Sequence, residues 1–370
     1  MEGWHFLGEE AVISPQLVVN RTGLVNNIER AIALAGGAER LWPHVKTHKT
    51  GQIVRLMAQR GIVRFKCATI AEAEMAAAFG GKHVALAYPL AGPNVERFLN
   101  LMRAFPDVKF YAIGDNLESV RLLGEAAEKR GQIVTVLIDV NMGMNRTGAE
   151  IGAVAQLYER AARIPGLEPA GLHCYDGHRT ETDFEARKKA AFPGFSQIME
   201  IREELSRKGL SCEAMIMGGT PSFPCYAAFG GEGIYFSPGT LFLNDWGYAK
   251  KFPDLEFETA AAVMTRVVSL PEPGKFTLDL GYKGIASDPE GVRGVLDHFP
   301  AHPCFQSEEH WVFAMDEGHE AECPKIGEVL FVIPTHICPT SALYPYMMVV
   351  EDGRIVAEWE VTARNRRITY

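Results

Sequence analysis

The chain has 370 residues, 47% of them hydrophobic and 22% charged, with a formal net charge of −9. That is enough for two domains or for one barrel with an appendage, and the acidic balance without a long basic stripe excludes nucleic acid as the main partner. No apolar run approaches a membrane span, the acidic opening residues 1–10 lack a signal peptide's basic and apolar regions, and seven cysteines without a C-x-x-C pair read as reduced thiols of a cytoplasmic protein.

Residues 12–19 read as an extended opening segment, after which Asn20 caps a helix carrying Leu24, Ile28, Ala31, Ile32 and Leu34 on one side. The stretch Leu41-Trp42-Pro43-His44-Val45-Lys46-Thr47-His48-Lys49-Thr50 begins too apolar for a solvated basic run. It suits a strand whose carboxyl end delivers Lys46 into a pocket. A lysine that is desolvated or beside other cations loses its charge more readily and becomes a nucleophile able to form a Schiff base. Short β-rich runs follow at 62–68, 83–88, 108–113, 133–140, 168–174, 213–217 and 233–236, with helical patterns at 71–79, 95–105, 116–130, 150–163 and 181–208. With the Lys46 strand this makes eight strand candidates alternating mostly with helices. Regular alternation means parallel strands with right-handed crossovers, and the count favours a closed (β/α)8 TIM-type barrel.

After residue 245 the texture changes to alternating strands at 257–269, 275–280, 310–315, 328–333 and 346–350, separated by turns such as Pro271-Glu272-Pro273-Gly274. The expected division is a barrel over 13–245 and a mostly β C-terminal domain over 246–370, with residues 1–12 packing against the latter.

In such a barrel the functional groups belong at the carboxyl ends of the strands. Those ends offer Lys46, then Arg146 in the loop Asn141–Gly148, then Tyr175 in His173-Cys174-Tyr175-Asp176-Gly177-His178. The last two strands end in Gly218-Gly219-Thr220-Pro221-Ser222 and Ser237-Pro238-Gly239-Thr240. A Gly-Gly-Thr turn alone is an ordinary tight turn. Two glycine-and-hydroxyl turns after strands seven and eight, with Gly219, Thr220, Gly239 and Thr240, mark the usual phosphate site of this architecture. A lysine opposite a phosphate cradle suggests pyridoxal 5'-phosphate, with Arg146 toward its phenolic oxygen and Tyr175 toward its ring. In the β domain, His336 and Cys338 stand two apart on what reads as an extended segment, so both face one side. Imidazole and thiolate suit Zn²⁺ better than Mg²⁺ or Ca²⁺, although a lone H-x-C is more often structural.

Pro43-His44-Val45-Lys46-Thr47-His48-Lys49 closely resembles the cofactor-lysine motif of D-threonine aldolases and D-serine dehydratases. These are fold-type III pyridoxal-phosphate enzymes with the alanine-racemase-like fold, a barrel followed by a β domain. The similarity continues through Gly143–Gly148, Tyr175–His178, Gly218–Pro221 and Asp279-Leu280-Gly281, and ends at His336 and Cys338. The resemblance implies that Lys46 is the Schiff-base lysine, that Arg146 and Tyr175 contact the cofactor ring, and that Gly219 and Thr220 hold the phosphate. It implies a divalent metal on His336 and Cys338, zinc or another such as Mn²⁺ or Mg²⁺, and a homodimer.

The aldolase branch shows His-Cys-Asp at the metal, whereas His-x-Cys-Pro, the dehydratase pattern, stands here. The resemblance therefore tilts toward dehydration of a D-serine-like amino acid to pyruvate and ammonia. The alternative is a D-threonine aldolase yielding glycine and an aldehyde. An amino-acid racemase would want a second base and no metal, and a pyridoxal-phosphate-binding protein without turnover is usually a single domain.

Overall fold

The computed structural model describes residues 4–370, and the chain falls into two compact units. One consists of Ala31–Lys46, Gly51–Gly239 and Asn365–Tyr370; the other holds the residues up to Arg30, Thr47–Thr50 and Thr240–Arg364. The first elements are strand β1 (Gln16–Asn20) and helix α1 (Arg21–Ala35).

The first unit is a ring of parallel strands. Helix α2 (Gly51–Ala58) leads into β2 (Arg64–Cys67), α3 (Ile70–Ala78), β3 (His83–Leu86), α4 (Pro93–Ala104), β4 (Lys109–Gly114), α5 (Leu117–Lys129) and β5 (Val134–Asp139). Then come α6 (Val154–Ala161), β6 (Leu167–Cys174), α7 (Phe184–Arg207), β7 (Ala214–Met217), α8 (Phe223–Phe229) and β8 (Ile234–Phe236). The seven strands pair in sequence order, each parallel to the next. Local sequence explains the alternation. Every residue of β5 is buried, as a strand covered on both faces requires. Three of these helices, α3, α5 and α7, start on side-chain caps: Thr69, Asn116 and Asp183 accept from the backbone N–H groups of Glu72, Ser119 and Ala186.

The ring closes through residues 41–44. Leu41 bridges Phe236 and His44 bridges Lys66, both parallel, with Trp42 N donating to Phe236 O at 2.7 Å and Lys66 N to Pro43 O at 2.8 Å. The eighth stave is thus present but irregular, because Pro43 has no N–H to give to a ladder. The (β/α)8 expectation is met with seven regular strands and one proline-interrupted one. Trp42 is buried against Ala85, Tyr111, Leu137 and Ile216 inside the ring.

The second unit is mostly β. After α9 (Trp246–Lys251) come β9 (Ala261–Glu272), β10 (Lys275–Leu278), β11 (Gly294–Leu296), β12 (Ala301–Gln306), β13 (Trp311–Met315) and β14 (Val329–Pro334). The short helix α10 (Ile337–Ser341) precedes the hairpin of β15 (Tyr346–Glu351) and β16 (Arg354–Glu360). The sheet order is β12-β13-β10-β9-β1-β15-β16, with β14 joining β9 and β11. Strands β11, β12 and β16 escape the sequence pattern. The first has three residues, the second carries Pro303 beside a register shift, and the third places Ile355 and Val356 side by side in the open.

The division of the chain differs from the expected one. Strand β1 lies antiparallel to β9 and parallel to β15, and Asn27 bonds the carbonyls of Phe242 and Glu258. Residues 13–30 therefore belong with the β unit rather than the barrel, and Asn365–Tyr370 with the barrel unit. Phe6 lies in the β unit's core cluster, with Val12 packed against it, while residues 1–3 lie outside the described residues. All seven cysteines are free thiols, and among the described residues no helix is long and apolar enough to cross a membrane.

Candidate active site

In the barrel unit, three cations converge on one aromatic ring. Lys46 sits in the 3₁₀ turn Val45–Thr47 that follows the irregular stave, and its Nζ is 5.7 Å from the centre of the Tyr175 ring. Lys66 Nζ lies at 5.1 Å from the same centre and the Arg146 guanidinium carbon at 5.3 Å. Lys66 was not anticipated from the sequence. It is 1% exposed on β2, donates to Ser237 Oγ at 2.5 Å and stands 3.5 Å from His173 Nε2.

His173 in turn gives its Nδ1 hydrogen to Asp139 Oδ1 at 2.6 Å, which leaves the Nε2 lone pair toward the lysine. Ser237, Lys66, His173 and Asp139 thus form a buried polar chain across the ends of four strands. Burial and then the neighbouring charge of Lys46 pull the Lys66 ammonium down to about 7, with Asp139 and Asp176 opposing. Burial likewise lowers His173, against the pull of Asp139.

The turn after β7 is built for close approach. Gly218 has φ +70°, a left-handed conformation that favours glycine. A Cβ on Gly219 would come to 2.9 Å from Tyr175 Cε2, so only the bare glycine lets the tyrosine ring lie over this backbone. Ser222 Oγ and Tyr226 Oη donate to the two oxygens of buried Asp176 at 2.5 and 2.7 Å, and Gly219 N donates to Ser222 Oγ at 3.2 Å. Burial raises the Asp176 carboxyl above its ordinary range despite those donors. The Thr220 hydroxyl accepts from Gly239 N at 3.2 Å and so ties the turns after β7 and β8 together.

Of the anticipated cofactor residues, Lys46, Arg146, Tyr175 and Gly219 are therefore brought around one ring, and Thr220 with Gly239 into the adjoining turns. Thr240, the next residue in the chain, is grouped with the β unit, where its Oγ1 is 3.4 Å from Cys338 Sγ.

In the β unit, His336 and Cys338 meet, but not on an extended segment. His336 is the residue before α10 with φ −137° and ψ 101°, and Cys338 lies in that helix's first turn. The buried Asp245 carboxylate organises the turn by accepting from Ile337 N at 3.0 Å, and burial raises it to about 6. His336 Nδ1 is 2.5 Å from Asp288 Oδ2, and the imidazole also bonds Cys338. Burial works against its charge, but Cys338 and Asp288 prevail and push it up to about 9. Thr47 Oγ1 stands 3.1 Å from the Cys338 sulfur, so imidazole, thiol and two hydroxyls cluster there. Among the described residues no group of three or more His, Cys, Asp or Glu is arranged to hold a metal ion. Asp279, part of another matching motif, is structural: it accepts from Ser14 Oγ, Thr265 Oγ1 and Arg266 N.

A parallel β/α ring with a lysine after its first stave and a glycine turn after its seventh, in a chain with a mostly β second unit, defines the alanine-racemase-like class. Residues 19–232 match the family described as alanine racemase, N-terminal domain, and the chain belongs to it; residues 260–350 match the putative serine dehydratase domain.

The chain is 28% identical over 367 residues to a D-threonine aldolase of Arthrobacter sp, covering 95% of this chain and 93% of that one. It is 27% identical to a 3-hydroxy-D-aspartate aldolase of Paracoccus denitrificans strain Pd 1222, covering 97% and 94%. A D-threo-3-hydroxyaspartate dehydratase of Delftia sp. strain HT23 is 23% identical, with coverage of 94% and 96%. Among solved structures, D-threonine aldolase from Filomicrobium marinum superposes with a TM-score of 0.90 at 27% identity, covering 98% of each chain. A D-threo-3-hydroxyaspartate dehydratase with one cysteine replaced by alanine, in the metal-free form, gives 0.82 at 20% identity over 95% and 98%.

Proposed function

We propose that this chain is a pyridoxal-phosphate-dependent lyase acting on D-β-hydroxy-α-amino acids. The observation that carries the reading is the convergence of Lys46, Lys66 and Arg146 on Tyr175 beside the glycine turn. Three basic side chains face one ring, against two nearby carboxylates, Asp139 and Asp176, which are held by His173, Ser222 and Tyr226. This excess of basic groups over carboxylates suits an anionic ligand, and the bare Gly219 backbone suits a phosphate.

Lys46 would hold the cofactor covalently, Arg146 and Tyr175 would flank its ring, and Gly219, Thr220 and Gly239 would receive its phosphate. When bound, the cofactor takes up the negative charge left on Cα after a bond there is broken. Lys46 would also serve as the base that moves a proton at Cα. His173 fixes its own tautomer through Asp139 and keeps Lys66 in place. His336 and Cys338 would hold a divalent ion, zinc being favoured by the thiolate, which acts as a Lewis acid toward a hydroxyl oxygen. The whole-chain likeness to known D-amino-acid lyases supports this class of substrate, and a homodimer is proposed with it.

The narrower reading is loss of the β-hydroxyl from a D-serine-like substrate, on the strength of the His336-Ile337-Cys338-Pro339 pattern. Retro-aldol cleavage of the Cα–Cβ bond is the second reading, favoured by the greater similarity to aldolases than to the dehydratase. The test is a panel of D- and L-serine, threonine and 3-hydroxyaspartate, reading keto acid, ammonia and aldehyde together. Keto acid with ammonia from the D-substrates supports dehydration; glycine-forming release of aldehyde or glyoxylate supports the aldolase. A colourless protein that takes up no pyridoxal phosphate, or a visible band that survives in Lys46→Ala, would end the proposal.

A further inference from the structure

We propose that Asp288 is a positioning residue for the metal, holding His336 in the tautomer whose Nε2 is open to the ion. This rests on the reading of His336 and Cys338 as a divalent-metal pair and extends it to a residue that no sequence motif singles out. A neutral imidazole carries one hydrogen on one of its two nitrogens, and whichever nitrogen meets an acceptor keeps it. Here the acceptor is Asp288 Oδ2, 2.5 Å from Nδ1. In the neutral ring that a bound ion requires, the hydrogen stays on Nδ1 and the lone pair on Nε2 faces the ion. Carboxylates behind metal-bound histidines act in this way, orienting the ring and raising its basicity.

Both side chains are partly exposed, His336 by 37% and Asp288 by 52%, but the loop that carries Asp288 is fastened to the segment that carries His336. The Thr340 hydroxyl, fully buried, donates to the His336 carbonyl at 2.8 Å and accepts from Ala286 N at 3.0 Å. Before that point, Tyr344 Oη donates to Gly284 O at 2.6 Å. Beyond Asp288, Thr335 binds the loop twice, its hydroxyl donating to Val292 O at 2.7 Å and its N–H to Arg293 O at 2.9 Å. Residues 284–293 are thereby pinned on both sides of Asp288 to the stretch 335–344. The other charged or titratable groups facing His336 are Cys338 and Asp245. Asp245 spends its oxygens on the backbone of Tyr248 and Ile337, which leaves Asp288 to hold the ring.

Zinc affinity, measured by competition with a chromogenic chelator, is the test. It is applied to the full chain, to Asp288→Ala, Asp288→Asn and the His336→Ala/Cys338→Ala double variant. The expected result is a loss of about 10- to 100-fold in Asp288→Ala, the usual size of an outer-shell effect. Asp288→Asn should recover part of the loss, because its amide oxygen still accepts from Nδ1. The visible spectrum of the cobalt-loaded protein should shift in Asp288→Ala, while thermal unfolding of the metal-free forms stays the same.

Wild-type affinity and an unshifted cobalt spectrum in Asp288→Ala would overturn the inference while leaving the metal pair standing. If the double variant holds zinc as tightly as the wild type, or if the wild type holds none, the metal reading falls and this inference falls with it. Equal loss of metal and of metal-free stability in both Asp288 variants assigns Asp288 a merely structural role and also overturns the inference.

Discussion

Replacing Lys66 by methionine separates what stabilises the fold from what the site needs. Lys66 is buried within the barrel unit, and its ammonium is held at about 7 against an ordinary 10.5. In that window the unfolded chain binds the proton that the folded chain has released. The contribution of Lys66 to stability therefore rises with pH from about 7 to 10.5, and its penalty is largest at and below neutrality. Its full size is roughly 5 kcal/mol at 1.36 kcal/mol per pH unit. Methionine keeps the length and removes the charge, at the loss of the bond to Ser237 Oγ, about 1 kcal/mol.

The cofactor-free Lys66→Met protein should then be more stable than wild type at pH 7 by ~2–4 kcal/mol, a melting point several degrees higher. At pH 9.5 the advantage should shrink by about 3 kcal/mol, because the wild type recovers. Calorimetry or urea unfolding of both proteins at the two pH values reads this directly. A variant less stable at neutral pH, or an advantage indifferent to pH, refutes the account of a strained lysine. Pyridoxal-phosphate retention should fall in the same variant, which is the reason for keeping so costly a group.

Two further outcomes follow from the geometry. Gly219→Val sets a Cβ 2.9 Å from Tyr175 Cε2 on a backbone without positive φ, so the chain should still fold while the ring is displaced. Cofactor affinity should drop at least ~10-fold, about 1.4 kcal/mol, with a smaller change in stability; unaltered affinity in a fluorescence titration removes Gly219 from the cradle. Thr340→Val keeps the shape but leaves Ala286 N–H without its buried acceptor, at a cost of about 1–3 kcal/mol. Denaturant unfolding indistinguishable from wild type would show that the 284–293 loop is not fastened there.

The barrel strands were legible because a strand covered on both faces reads as an unbroken apolar run, as Val134–Ile138 does. The placement of β1 was not, since its parallel partner lies some 330 residues away and leaves no local trace. Lysine in a short strand pattern passes for a solvent-facing residue, and only closure of the ring turns Lys66 inward. Lys46, Arg146, Tyr175 and Gly219 were found because they stand at strand ends, which the pattern does locate. Thr240 stands at such an end too, at the point where the chain passes from the barrel unit to the β unit. The H-x-C pair was found in the wrong backbone. Pro339, at home in the first turn of a helix, was the available sign that Ile337–Ser341 would coil.

The pairing of β1 also bears on the order in which the chain can fold as it is made. Val18, Val19 and Asn20 wait for Met348, Val349 and Val350, so the parallel ladder between them forms only after nearly every other strand has been synthesised. Until then its neighbour β9, beginning at Ala261, is the earliest partner to emerge, and that too comes after the whole ring of β2–β8. A strand of Leu17, Val18 and Val19 is thus left bare on the nascent chain through most of translation. Contacts this remote in sequence are slow to close, and the interval is one in which an unpaired apolar edge invites association. A chaperone requirement, or rescue of soluble yield by slower synthesis, is the cellular trace such a topology would leave.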